Sequence, residues 1–445
     1  MANEELRRRR VARMVGLARV YRGWSATELG EALGRTATKA APRSGNPKLD
    51  LVARLAQALD WDLGPVAESL WEIDPSIEFD AALVVEPAER CARVVLLDQD
   101  AQRLHRAGEF ESMADVAREM RAFASSAAER AAAANRLAGA FDGLGRFPKV
   151  LAAVQEGLAE QGIGRDLRTM LTVNLANAHY TLWNLHEARA VAASVLERAA
   201  IAPAGFRASR IGRVAEAFAH SIRGHAQRRL LSQCECEAEL VHVARAAEAD
   251  LALAERLFDA LHAEFDDAQY AGLARTAGGG AIEARVAAGV LRPRAAIERI
   301  ADALDGSVDL AAVPDHNRIE SWGWWSIFGA NIAMRAGGDA DGRVREASEY
   351  ERAIAIFTNK ASEIAEHLGN WPIHERSFTL EWFRRQRATG RGEEMPAWTL
   401  DGDDLRVLVG TMGRFPMFRA VGFRILEMAN IDDDAWREAC DAGEP

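Results

Sequence analysis

Residues 25–59 read SATELGEALGRTATKAAPRSGNPKLDLVARLAQAL, and how they are read decides the fold. Ser25 and Glu28 stand in the S-x-x-E spacing of a capping box. The serine hydroxyl accepts the backbone N–H of Glu28, and the glutamate carboxylate reaches back to the N–H of Ser25. Leu29 and Leu33 follow one turn apart on an apolar stripe. Gly34 suits a tight turn between helices. Asn46 and Pro47 mark a second helix start, since asparagine caps well and proline fits the first helical position. Leu49, Val52, Leu55 and Leu59 then recur at helical spacing. Upstream, Val11, Val15, Leu17 and Val20 give a helix an apolar side that can pack on both. Downstream, Pro65 suits the opening of a last helix, and Pro75 follows its end.

The order W-S-x-x-E-L-G-E-x-L-G … G-N-P-x-L-x-L-V-x-x-L-A-x-A-L, over roughly residues 12–64, resembles the Xre-type (lambda-repressor-like) helix-turn-helix family. The resemblance implies a five-helix DNA-reading domain over residues 1–72. In that family the start of the second helix meets phosphate, and the recognition helix reaches base edges in the major groove. Ser25 and Thr27 are thereby the phosphate contacts. Arg35, Thr36, Thr38 and Lys39 are the base readers, with Arg35 or Lys39 suited to guanine O6 and N7. Arg43 and Lys48 lie near the backbone. The chain departs from the pattern in two places. From Gly34 to Pro47 it is two or three residues shorter, and Pro42 falls where the recognition helix would still run, which predicts a short helix over 35–41. Ala26 stands where the family often has glutamine. A domain of this shape that only packs, and reads no DNA, is the competing expectation.

The 445-residue chain carries a formal charge of −11, distributed unevenly. Residues 1–56 hold 12 Lys+Arg against 5 Asp+Glu, a balance of +7, which leaves −18 for the rest. A basic head on an acidic body suits a head that meets phosphate; the plainer alternative is a solvated basic first helix. Cys91, Cys234, Cys236 and Cys440 are too few for a disulfide framework, so a reducing cytoplasm is the expected compartment. Cys234-Glu-Cys236 lacks the two-residue spacer of a zinc half-site. The N-terminal arginines lead into no apolar run or small-residue cleavage site, and no stretch reaches transmembrane length, so neither leader nor membrane partner is expected.

Residues 73–90 read as a linker with two prolines and an acidic bias, and residues 91–445 as a helical body. Apolar residues recur there every three or four positions and strand-like alternation is missing, which makes the whole protein all-α. Three stretches share one pattern: RAGEFESMADVAREM (106–120), GLGRFPKVLAAVQEGL (143–158) and LWNLHEARAVAASVLE (182–197). Their aligned residues Phe110, Phe147 and Leu185 lie 37 and 38 residues apart. This resembles tetratricopeptide (TPR) repeats and implies an α-solenoid of helical hairpins. In such repeats, side-chain amides on each first helix hold an extended peptide. The aligned positions are Gln99 and Gln102, Asn135 and Arg136, Asn174 and Asn177. Amides supply both donors and acceptors for a peptide backbone, although a solvated concave face would also be polar.

Beyond residue 200 the pattern fades. Gly278–Gly280 reads as a break or loop, and GTMGRFP as the turn of a last helical pair. Trp322, Trp324, Trp325 and Phe328 read as core packing, with a dimer interface or apolar ligand pocket as alternatives. No phosphate loop, dinucleotide fingerprint or H-E-x-x-H motif is present, so neither enzyme activity nor a cofactor or metal is expected. The order of parts resembles the RRNPP group of peptide-responsive regulators. It implies a homodimer that binds double-stranded operator DNA under control of a peptide or protein ligand in the repeat groove. The rival expectation is a TPR-type interaction scaffold whose helix-turn-helix no longer reads DNA.

Overall fold

The computed structural model describes residues 2–36, 46–59, 63–71, 87–304, 309–339 and 344–431. The chain divides into two compact units, Met1–Val85 and Glu86–Pro445. Among the described residues nearly all regular structure is α-helical. The exceptions are single-turn 3-10 segments and one parallel pair, β1 (Thr399–Leu400) with β2 (Asn430–Ile431).

The first unit contains α1 (Ala2–Arg22), α2 (Ala26–Ala32), α3 (Leu49–Leu59) and α4 (Leu63–Trp71). The reciprocal cap forms as its spacing requires: Glu28 N–H donates to Ser25 Oγ at 3.3 Å and Ser25 N–H to Glu28 Oε2 at 2.7 Å. The cap aims Leu29 and Leu33 into a core shared with Val11, Met14 and Val15 of α1 and with Leu51, Val52 and Leu55 of α3. Arg22 donates from Nε to Ala58 O at 2.8 Å and from Nη2 to Gln57 O at 3.0 Å, satisfying carbonyls that the end of α3 leaves open. Gly34 takes φ +65°, the left-handed conformation its turn needs. Ser25→Ala should speed native-state hydrogen exchange across Ala26–Ala32 about fivefold, the effect of losing one N-cap. A change below about twofold would show that packing alone holds α2.

Two boundaries differ from the sequence reading. The amides of Leu51 and Val52 bond to Lys48 O at 3.1 and 3.3 Å, so Lys48 rather than Asn46 occupies the capping position of α3. Pro47 is buried just outside the helix instead of opening it. Arg35 lies in a bend and Thr36 outside any helix, so no helix begins at Arg35. Most of the segment expected to form the recognition helix, residues 37–45, lies outside the described residues.

The second unit is a run of helices, nearly all packed on the next in sequence. They are α5 (Pro87–Ala107), α6 (Phe110–Phe123), α7 (Ala127–Gly143), α8 (Phe147–Ala159), α9 (Arg165–Thr181), α10 (Leu185–Ala200), the short α11 (Ala204–Ala208), α12 (Arg210–Leu230), α13 (Glu237–Phe265), α14 (Ala268–Ala287), α15 (Pro293–Leu304), α16 (His316–Asp339), α17 (Val344–Leu368), α18 (Trp371–Gly390), α19 (Gly402–Arg414) and α20 (Arg419–Met428). The helices α5, α7, α9, α12, α14 and α16 also pack on one another in that order. Phe110, Phe147 and Leu185 each open the second helix of a pair, as their spacing predicts. The turn residue two places earlier is left-handed in every case: Gly108 (φ +73°), Gly145 (φ +67°) and Trp183 (φ +66°). Gly369 (φ +62°) repeats the turn before Trp371.

Gly278–Gly280 forms no loop; it lies inside α14. A Cβ on these residues would stand 2.5 Å from Glu255 Oε1, 2.5 Å from Trp325 Nε1 and 2.6 Å from His225 Cε1. The glycines are there because α13, α16 and α12 approach too closely for side chains. Gly410–Arg414 is helical as well, and the turn falls at residues 415–418. From there Phe415 and Phe418 join Leu400, Leu405, Leu408 and Met412 in a cluster that includes Phe147 of α8. The last helices thus dock on a turn more than 250 residues earlier. Among the described residues no helix is long and apolar enough to cross a membrane.

Candidate ligand cavity

The docking of α18 and α19 against the α7–α8 and α9–α10 turns leaves a cavity of about 480 Å³ inside the second unit. Repeated local structure supplies much of its wall. Trp183 lies where the equivalent turns have glycine, so its left-handed backbone costs about 1–2 kcal/mol. Its indole is held by two guanidinium groups, Arg229 Cζ at 4.4 Å and Arg376 Cζ at 4.7 Å from the ring centroid. Arg229 also lies 4.0 Å over Tyr180 and donates to Tyr180 O at 3.2 Å. Burial lowers its pKa to about 10, with the neighbouring Arg228 and Arg376 pressing the same way and Tyr180 and Glu375 opposing. No carboxylate pairs with Arg229 or Arg376 among the described residues.

One turn before Arg229, His225 stacks on Phe328 with centroids 5.8 Å apart and planes at 19°. Arg228 Nε donates to His225 Nδ1 at 3.4 Å. Because arginine only donates, Nδ1 is the acceptor and the ring proton resides on Nε2. Nε2 is buried and has no partner. Burial first, and then Arg228 and Arg229, hold the pKa well below the ordinary histidine value, so the ring is neutral.

The opposite pole is acidic. Asp142 lies in the last turn of α7 and is exposed to the cavity, though surrounded by protein. That enclosure first, and the Glu320 carboxyl second, push its pKa up to about 6. Glu320 on α16 is raised by burial, against a hydrogen bond from Asn370 Nδ2 to its Oε1 at 3.0 Å. Asn370 also accepts from Ile373 N–H at 3.1 Å, capping α18, so the cap orients the amide that holds Glu320. Neither carboxylate has a cationic partner among the described residues. Trp324 and Phe328 stack at 6.5 Å between the poles, and Trp325 Nε1 donates to Arg275 O at 2.7 Å. The tryptophan cluster therefore contributes both core and cavity wall, with Trp322 and Phe328 buried.

Of the six predicted groove residues, Asn177 lines the cavity. The others tie helices together or face solvent. Gln102 Nε2 donates to Asp98 Oδ2 at 2.7 Å, and Arg136 grips the same carboxylate at 2.7 and 3.2 Å. Asn174 Nδ2 donates to Asn135 Oδ1 at 2.9 Å, and Gln99 is exposed. In the first unit Ser25, Thr27 and Lys48 are exposed and Arg35 is half-buried. Thr38, Lys39 and Arg43 lie outside the described residues. The sequence reading missed Asp142, Glu320, His225 and Arg229. One signal was available: Trp183 stands where the aligned turns have glycine.

His374, buried on α18, has its pKa lowered to about 4 by desolvation, partly offset by a bond to the Ala365 backbone. Its folded pKa lies below the unfolded value, so its contribution to stability is complete above pH 6.5 and declines as pH falls towards 4. The loss in unfolding free energy from pH 7 to 4.5 should be about 2–3 kcal/mol smaller in His374→Gln than in the parent chain. Equal losses in urea titrations would remove His374 as the cause. Asp142 acts with the opposite sign between pH 4 and 6, and the comparison of variants cancels it.

No family model and no curated protein matches the chain.

Proposed function

We propose that the protein is a DNA-binding transcriptional regulator whose TPR-like helical unit senses a small ligand and controls operator binding. The observation that carries this reading is the reciprocally capped α2, joined by a left-handed glycine turn and sharing one core with α1 and α3, within the +7 end of the chain. The cavity in the acidic unit gives such a regulator somewhere to hold an effector. As a homodimer, two heads about one DNA turn apart engage successive major grooves. The ligand then acts by binding one dimer arrangement more tightly than the other, since equal affinity for both would shift nothing.

A titration of the full chain with labelled genomic fragments tests this. The expected result is sequence-preferring binding that weakens with salt and is lost in Arg35→Ala/Lys39→Ala while the circular dichroism spectrum is unchanged. Binding with no sequence preference and no salt slope removes the regulator reading. The position of Arg35 in a bend favours the scaffold alternative, in which the double variant changes nothing.

A further inference from the structure

The cavity holds two poles that do not neutralise each other. On α12, His225 holds an unpartnered Nε2–H buried in the cavity wall, the residue being only 6% exposed, and Arg229 lies one turn further, its charge favoured by the nearby Glu375 but in no ion pair among the described residues. Asp142 and Glu320, on α7 and α16, face the same space without a cationic partner among the described residues. A donor pole of this kind asks for a carboxylate or carbonyl oxygen, and an acidic pole for an ammonium group. Trp183 and Trp324, both half-buried, line the same space and supply apolar surface for a ligand's body. In a partly enclosed site an unpaired charge is costly, so a ligand carrying both complements relieves the two ends together.

Size narrows the class. The cavity, about 480 Å³, lies within the range of about 300–1,000 Å³ usual for small-molecule sites. At roughly 30 Å³ per water it equals about sixteen waters.

We propose that this cavity binds a small zwitterion with an apolar body, in the format of a free dipeptide, its ammonium group between Asp142 and Glu320 and its carboxylate on His225 and Arg229. The proposal deepens the ligand half of the regulator reading, and it stands or falls without DNA. Leucyl-phenylalanine, phenylalanyl-leucine and leucyl-tryptophan are the probes, titrated calorimetrically into the full chain at pH 7.5. At least one free dipeptide binds, and its N-acetyl and C-terminal amide derivatives each bind at least tenfold more weakly. In Asp142→Asn/Glu320→Gln the preference for the free amine disappears while the preference for the free carboxylate remains. His225→Phe, which keeps the stacked ring and leaves Arg229, reduces the preference for the free carboxylate and leaves that for the free amine unchanged. Asp142→Asn alone is open to the cavity and should fold normally; it lowers the free-to-acetylated ratio at least threefold.

The proposal is overturned if no free dipeptide binds, if the acetylated form binds as tightly as the free one, or if the acidic variants leave that ratio unchanged. An octapeptide that outcompetes its own terminal dipeptide also overturns it. Loss of operator binding in the separate DNA titration bears on the regulator reading alone.

Discussion

Glu283→Gln lowers the unfolding free energy of the helical unit by about 3–5 kcal/mol, the cost of removing one partner from a buried ion pair. Glu283 is fully buried on α14 and Arg228, on α12, is 2% exposed; Arg228 Nη1 meets Glu283 Oε2 at 2.6 Å. Asn331 Nδ2 donates to the same oxygen at 3.2 Å. Arg335 Nη2 lies 3.2 Å from Oε1, close enough for charge pairing though not aligned for a hydrogen bond. One carboxylate thus ties α12, α14 and α16 together. Burial alone would disfavour the Arg228 charge, but Glu283 and Tyr180 together outweigh it and raise the pKa. Glutamine keeps the volume and one acceptor but removes the countercharge, and leaves Arg228 over the Phe328 ring at 4.6 Å without compensation. Urea unfolding followed by tryptophan fluorescence reads the loss. A loss under about 1 kcal/mol would mean that Arg228 finds water or another partner. Replacing both residues by apolar ones of similar volume should recover most of the stability. Because Arg228 also holds His225 Nδ1, the single variant should disturb the cavity as well.

Phe147→Ala costs a similar amount, about 3–5 kcal/mol, and its effect is felt far along the chain. Phe147 opens α8, is 4% exposed, and packs on Phe415 with ring centroids 5.0 Å apart. Its cluster otherwise consists of residues from the last helices, among them Leu405, Leu408 and Met412. Truncation leaves a hole at the point where the array's early turn holds its end. Besides the global loss, hydrogen exchange across α19 and α20 should accelerate more than across α13. Uniform acceleration, or none, would show that α18 alone secures the C-terminal helices.

The sequence determined what depends on neighbours within a turn or two. The Ser25–Glu28 box, the Leu29 and Leu33 stripe, the helix-opening Phe110, Phe147 and Leu185, and the all-α class follow from cap chemistry and a 3.6-residue period, which are local. It misread Gly278–Gly280 because the same residue that loosens a turn also lets helices touch, and only the positions of Glu255, Trp325 and His225 tell which. Arg136 and Asn174, expected as ligand contacts, bond to Asp98 and Asn135, and an amide or guanidinium looks the same in sequence whether its partner is a ligand or the next hairpin. The cavity was decided by tertiary structure alone. Asp142 and Glu320 stand 178 positions apart in the chain, and His225 and Arg229 belong to a third helix between them. What makes them a site is the return of α18 and α19 onto residues 145–147 and 182–183, which brings them around one cavity and leaves the carboxylates without ion-pair partners among the described residues. No periodicity encodes that closure, because its contacts join side chains whose spacing is fixed only once the whole array has packed.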